Sequence, residues 1–312
     1  MIKEERINIL LSSDDNYARH MGVVIYSVLT TNTDVAAIRF FIVNNGISQE
    51  NKEKITEMVQ PFSNAEVNYI DFGPWEKHLQ LNMLWNISMS SYGRLFVGEM
   101  LPKDVNRILY LDCDMLVCDS LCELWRTEMG NNVIGAVMDY VPFQTKKGVG
   151  LSNDELYFNA GMLLINLDLW RKFNIGKVCL DFINKRHGNV LHHDQGTLNG
   201  VLKKRWFKLP LKYNVMTINY VLPDRQHHKR AKEKNYFSEE EVLSAKSSPV
   251  ILHFTPSYTT RPWVSGCVHP LKHLYWNTLR LTPWANSTPE KDTRRLLLRW
   301  YEFLLRIKLH LL

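Results

Sequence analysis

Two carboxylates interrupt an otherwise apolar run, Leu109-Tyr110-Leu111-Asp112-Cys113-Asp114-Met115-Leu116-Val117. Burying either charge costs several kcal/mol unless a cation offsets it. Asp112 and Asp114 lie two apart, so on a continuing strand both side chains face the same way. Two carboxylates converging at the carboxyl end of a strand make an oxygen site for Mn²⁺ or Mg²⁺ bridging phosphates. His253 ends the apolar run Val250-Ile251-Leu252 and is placed to give the same metal a nitrogen. Eight residues on, Arg261 offers a planar fork that suits a phosphate. Three other polar clusters stand beside apolar runs. Ser12-Ser13-Asp14-Asp15-Asn16-Tyr17 closes the first run with side chains able to accept from a base or ribose. Asn159-Ala160-Gly161 opens another, its small pair letting a ligand approach the backbone while Asn159 presents an amide. His192-His193-Asp194-Gln195 stands at a helix start. Taken singly, each cluster has an ordinary structural explanation, since an Asp-Asn pair is a common helix cap and a loop histidine needs no ligand.

The elements that must position these residues alternate between strand and helix. Ile7–Ser12, Ile38–Val43 and Val67–Phe72 read as short buried strands. Tyr17–Thr31 carries Met21, Val24, Ile25, Val28 and Leu29 at helical spacing. A helix runs from the cap Ser48 to Gln60, before Pro61, and another lies around Tyr92–Met100. Arg107–Val117 reads as one strand with a polar break, and Val133–Val137 and Gly161–Leu167 as two more. Beyond Leu202 the pattern is loop-rich up to a last strand, Val250–Phe254. Repeated βα units predict an α/β fold, a Rossmann-like and mostly parallel sheet with helices on both faces.

Of the 312 residues, 45% are hydrophobic and 22% charged, as in a folded globular chain rather than a disordered one. The net charge of +6 is concentrated at the end. Lys291, Arg294, Arg295, Arg299, Arg306 and Lys308 outnumber Asp292 and Glu302 by four, so the body carries too little excess for a nucleic-acid surface. Read as a helix, Arg295, Arg299, Glu302, Arg306 and His310 fall on one face, with Leu297, Trp300, Leu304, Ile307 and Leu311 opposite. Such a face suits an anionic membrane surface, although docking on the body or on a second copy would bury the same stripe. The chain therefore divides into a body, 1–285, and a basic amphipathic C-terminal helical tail, 286–312. Five cysteines without a regular framework predict reduced thiols and a cytoplasmic protein. The run Ile7–Leu11 is too short for a signal-peptide core, and no run reaches the length of a membrane span.

In this order the motifs resemble glycosyltransferase family 8, the retaining GT-A enzymes that include bacterial lipopolysaccharide α-galactosyl- and α-glucosyltransferases and glycogenin. The resemblance runs from about Ile7 to Trp263. It is carried by Ser12–Tyr17, Ser91-Tyr92-Gly93-Arg94-Leu95, Leu109–Asp114, Phe158–Asn166, His193-Asp194-Gln195 and His253-Phe254-Thr255. It implies Mn²⁺, with Mg²⁺ as the alternative, on Asp112, Asp114 and His253. It implies uridine held by Ser12, Asp14, Asn16 and Tyr17, and the UDP-sugar also touched by Cys113. The donor sugar falls to Arg94, Asn159, Ala160, Gly161 and Asp194, the diphosphate to Arg261. Gln195, beneath the anomeric carbon, and Asp194 are the implied catalytic residues. The implied function is metal-dependent, retaining transfer of galactose or glucose from a UDP-hexose to a glycan or lipid-linked glycan, such as lipopolysaccharide, by a cytoplasmic enzyme held peripherally at the membrane. One segment departs from the family pattern. Pro256 stands where a Gly is expected, two residues are added before Arg261, and Arg261 replaces a Lys. Proline has no N–H to give a phosphate. Two rival readings are a dehalogenase-type phosphatase with Asp112 as nucleophile and a catalytically silent sugar-nucleotide-binding protein. The phosphatase needs its Asp motif after an early strand and a later acidic pair, whereas here the motif follows the fourth strand and no such pair appears.

Overall fold

The computed structural model describes residues 5–79, 89–222, 236–256 and 259–294, together with 300, 303, 304 and 307. Strand β1 (Arg6–Ser13) is buried at every residue after Arg6. A strand apolar on both faces belongs in the middle of a sheet, and β1 pairs in parallel with β2 (Ala37–Asn44) on one side and β4 (Arg107–Leu111) on the other. β3 (Ala65–Asp71) alternates partly buried and exposed residues and forms an edge. With β6 (Ile134–Met138), β7 (Phe158–Asn166) and β8 (Trp206–Leu209), the order is β3-β2-β1-β4-β7-β6-β8. β7 is antiparallel to β4 and β6 and the remaining pairs are parallel, so the expected mostly parallel α/β sheet is present. Both faces are covered. Ile9 and Leu11 pack with Met21 and Val24 of α1 (Ala18–Thr31) and with Ile55 and Met58 of α2 (Gln49–Val59). Leu10 points the other way, to the cluster of Tyr110, Trp170 and Ile175.

Arg107–Val117 is not one strand. β4 stops at Leu111, and β5 (Met115–Val117) belongs to a second sheet with β9 (Val215–Met216) and β10 (Ile251–His253), in the order β5-β10-β9. The reason is electrostatic: two carboxylates do not sit in a buried ladder, so the chain turns after its last bond to β7, from the Asp112 N–H to the Gly161 carbonyl, 2.8 Å. β5 then runs antiparallel to β10, with His253 opposite Met115. The inter-sheet turn, not strand alternation, brings Asp112 and Asp114 together.

Other boundaries also differ from expectation. Tyr92–Met100 is a 3₁₀ run, Met89–Phe96, followed by one α-turn, Val97–Met100. The Ser12 hydroxyl donates to the Ser90 carbonyl at 2.5 Å and takes up that acceptor. β7 starts at Phe158, before Gly161, and β8 and β9 appear in the region read as loop. All five cysteines are free, and no helix of the described residues is long and apolar enough to cross a membrane. Arg295, Leu297, Arg299, Glu302, Arg306, His310 and Leu311 of the predicted tail helix lie outside the described residues. Trp300, Phe303, Leu304 and Ile307 are helical and exposed.

Candidate active site

A cavity of about 310 Å³ opens at the carboxyl ends of β1 and β4, where open α/β sheets bind ligands. Ser12, Asp14, Tyr17, Arg94, Asp112, Cys113, Asp114 and Arg261 line it, eight residues singled out from the sequence. The Cys113 thiol donates to the Ser12 carbonyl at 3.3 Å and ties the acidic turn to β1. Asp14 caps the turn that follows β1 by accepting from the Tyr17 N–H, 3.2 Å. Asn16 is exposed and lines a neighbouring cleft on the other side of Tyr17.

Two guanidinium groups meet the carboxylates. Arg94 is buried and held from several sides. It donates to Asp112 Oδ1 at 2.8 Å and to the Ser91 and Ala160 carbonyls, and pairs with Asp194 Oδ2 at 3.0 Å. Its guanidinium carbon lies 4.1 Å from the Tyr110 ring centre, and the Tyr110 hydroxyl donates to Asp112 Oδ1 at 2.6 Å. Burial alone would lower the Arg94 pKa, but Asp112 and Asp194 raise it further. Burial raises the Asp194 carboxyl against the pull of Arg94. Arg261 reaches the same cluster despite the altered segment, its Nε donating to Asp114 Oδ2 at 2.8 Å. Residues 257–258 of that segment lie outside the described residues. Burial would raise the Asp114 carboxyl, yet Arg261 and His253 overcome it and hold Asp114 well below the usual carboxylate range.

The ligand atoms of Asp112, Asp114 and His253 all lie within 4.8 Å of one another. A chain of hydrogen bonds fixes which nitrogen of His253 faces them. The Gly161 N–H donates to Asn159 Oδ1 at 3.0 Å, so that atom is an acceptor. Asn214, fully buried, must then offer it Nδ2, at 2.9 Å, and turn Oδ1 to His253 Nδ1, at 3.0 Å. Nδ1 therefore carries a proton, and Nε2 is the nitrogen turned to Asp114 Oδ1, at 3.1 Å. A ring nitrogen and a carboxylate oxygen that close are joined by a positive charge, a proton or a metal ion. Gly161 leaves the room, since a Cβ there would stand 2.4 Å from His253 Cε1 and 2.8 Å from Asp112 Oδ2. An imidazole nitrogen beside two carboxylates suits Mn²⁺, so the donor set fits a divalent metal.

Asn159 continues the network toward Gln195. Its Nδ2 donates to Asp139 Oδ2 at 3.3 Å, Gln195 Nε2 donates to the same oxygen at 3.4 Å, and Gln195 Oε1 accepts from the Ala160 N–H at 3.0 Å. The helix that delivers Asp194 and Gln195 (α3, His193–Leu202) starts on two successive left-handed residues, His192 at φ 59° and His193 at φ 53°. That strain costs on the order of 1–3 kcal/mol per residue, and such strain is typical of functional sites. Tyr157 holds the ring through its hydroxyl, 3.1 Å from His192 Nδ1. Asp139, Asn214 and Tyr110 were not picked out from the sequence. Asp139 follows the apolar strand β6 as Asp112 follows β4, a usable signal, whereas nothing local distinguishes Asn214.

The sequence profile of Glycosyl transferase family 8 matches residues 8–267. The chain is similar to General stress protein A of Bacillus subtilis, at 27% identity over 91% of this chain and 96% of that protein. It is also similar to the lipopolysaccharide 1,2-glucosyltransferase of Escherichia coli, at 27% identity over 99% of this chain and 86% of the relative. Among solved structures, the galactosyltransferase LgtC in complex with donor and acceptor sugar analogues superposes with a TM-score of 0.76 at 28% identity, covering 91% of this chain and 98% of that one.

Proposed function

The chain belongs to glycosyltransferase family 8, and on that premise we propose that it is a metal-dependent, retaining hexosyltransferase using UDP-galactose or UDP-glucose. The observation that carries this reading is the meeting of Asp112, Asp114 and His253 between the guanidinium groups of Arg94 and Arg261. Family membership displaces the phosphatase reading of Asp112. Asp112, Asp114 and His253 would hold Mn²⁺, which when bound offsets charge on the leaving diphosphate. Arg261 supplies a second positive group to that diphosphate. Tyr17, Asp14 and Ser12 take the uridine, with Cys113 in the floor, while Asn16 faces the neighbouring cleft. Ala160, Gly161 and Asn159 border the sugar. In the step itself the bond from the anomeric carbon to the diphosphate breaks, and the acceptor oxygen bonds to the same face. The acceptor proton passes to a diphosphate oxygen. Asp194 is tied to Arg94, and the Gln195 amide oxygen accepts from a backbone N–H, so neither is a free nucleophile, which favours the front-face course over double displacement. Gln195 then lies beneath the anomeric carbon, oriented by Asp139 and Ala160.

The acceptor we propose is lipopolysaccharide or another cell-surface glycan, in line with the Escherichia coli relative. UDP release should appear with UDP-galactose or UDP-glucose plus Mn²⁺ and stop with EDTA. Release from neither sugar would leave a silent binding protein, and release undiminished by EDTA would remove the metal.

The same reading gives the tail a place on the anionic inner face of the membrane, supported by the exposed Trp300, Phe303, Leu304 and Ile307 and by basic residues worth about 1 kcal/mol each near such a surface. Full-length protein is expected to sediment with anionic vesicles at low salt, and a chain cut after Arg294 to stay in solution with its UDP release intact. The cut falls there because Glu290 is tied to the body: its N–H donates to the Trp263 carbonyl, its carboxylate pairs with Arg19, and Val264 bridges to it. Failure of the full-length protein to sediment would end the membrane role.

A further inference from the structure

We propose that Arg261 guards the metal carboxylate: it holds Asp114 until a diphosphate takes the guanidinium, so the metal binds well only together with the nucleotide. The inference rests on the transferase reading of this site. Asp114 gives Oδ1 to His253 and Oδ2 to Arg261, at 3.1 and 2.8 Å. A cation on Asp114 Oδ1 would share the carboxylate with the guanidinium on Oδ2 and would meet its positive charge. The two arginines of the site differ in how they are held. Arg94 is 4% exposed and bonded to two backbone carbonyls and two carboxylates, which makes it a fixture. The Arg261 side chain is 30% exposed and springs from the segment after β10. Its guanidinium carbon lies 6.0 Å from the Tyr17 ring centre. It thus spans the distance between the acidic turn and the residue proposed to hold the base, the stretch a diphosphate would occupy.

Charge balance points the same way. Three carboxylates, Asp112, Asp114 and Asp194, face two guanidinium groups. A divalent cation alone would reverse the sign of the site, and a diphosphate alone would deepen its negative charge. Together they cancel, and Arg261 passes from one anion to the other without becoming unpaired. Metal and nucleotide must then raise each other's affinity by the same factor. Arginine suits the exchange, because its planar fork grips either a carboxylate or a phosphate.

Mn²⁺ titration of the full-length chain, read from the paramagnetic resonance signal of the free ion, tests this. Without nucleotide, Arg261→Ala and Arg261→Gln should each bind Mn²⁺ roughly tenfold more tightly than wild type. UDP should tighten Mn²⁺ strongly on wild type and much less on either variant. If Mn²⁺ alone binds both variants no better than wild type, while UDP still binds, the guard is wrong and the transferase reading stands. Absence of Mn²⁺ binding to any of the three proteins, even with UDP, would overturn both.

Discussion

Asp114→Asn is expected to lower UDP release by roughly a hundredfold or more while lowering the melting temperature only modestly. The structure explains why these two effects separate. An asparagine at this position can accept from Arg261 with its Oδ1, as Asp114 does now, and donate from Nδ2 to His253 Nε2 in place of the carboxylate contact. The hydrogen-bond network can still close. What disappears is the negative charge and one of the two oxygens turned toward the cluster, and the neutral amide donor then occupies the gap between the two acceptors. Turnover and thermal melting measured on the same preparation decide the matter. Activity within a few-fold of wild type would remove Asp114 from the metal site, and a large drop in melting temperature would make its role structural.

The residues of this site were legible to the extent that their chemistry clashed with local pattern. Asp112 and Asp114 stand out because carboxylates among Leu, Tyr, Met and Val need a reason. That reason was misjudged in one respect. Strand periodicity puts both on one face of a continuing strand, whereas the chain leaves the first sheet between them and joins a second. A pattern of period two cannot register that its two halves pair with different partners, since the pairing of β5 with β10 joins residues more than a hundred positions apart. Asn214 marks the limit more sharply. It orients the ring of His253 from 39 positions away and takes its own orientation from the amide of Asn159, 55 positions away, and its neighbours Tyr213 and Val215 look like ordinary core.

The fold was legible where burial is continuous. β1 and β2 sit inside the sheet, and their runs of Ile, Leu, Phe and Val announce it. β8 and β9 span four and two residues, and β8 carries Lys208 among partly buried neighbours. Elements that short are stabilised by the sheet they complete rather than by their own sequence, so the segment after Leu202 read as loop.

Arg94→Ala should be the most destabilising single change in this site, by about 3–5 kcal/mol of unfolding free energy. The guanidinium joins Asp112 of the acidic turn, which is partly open to solvent, to the buried Asp194 of α3 and covers the Tyr110 ring. Removing it strands two carboxylates, leaves the Ala160 carbonyl without this donor and opens a void the length of the side chain. Arg94→Lys restores the charge but not the geometry. A single ammonium on a flexible stem cannot meet Asp112, Asp194 and the Ser91 and Ala160 carbonyls at once. The lysine variant is therefore expected to recover only part of the stability. It should also bind Mn²⁺ more weakly, because Asp112 is no longer aimed by a fixed fork. Urea unfolding of the three proteins gives the comparison. A loss below about 1 kcal/mol for Arg94→Ala, the range of an exposed ion pair, would show that Arg94 is not the strut between the acidic turn and α3.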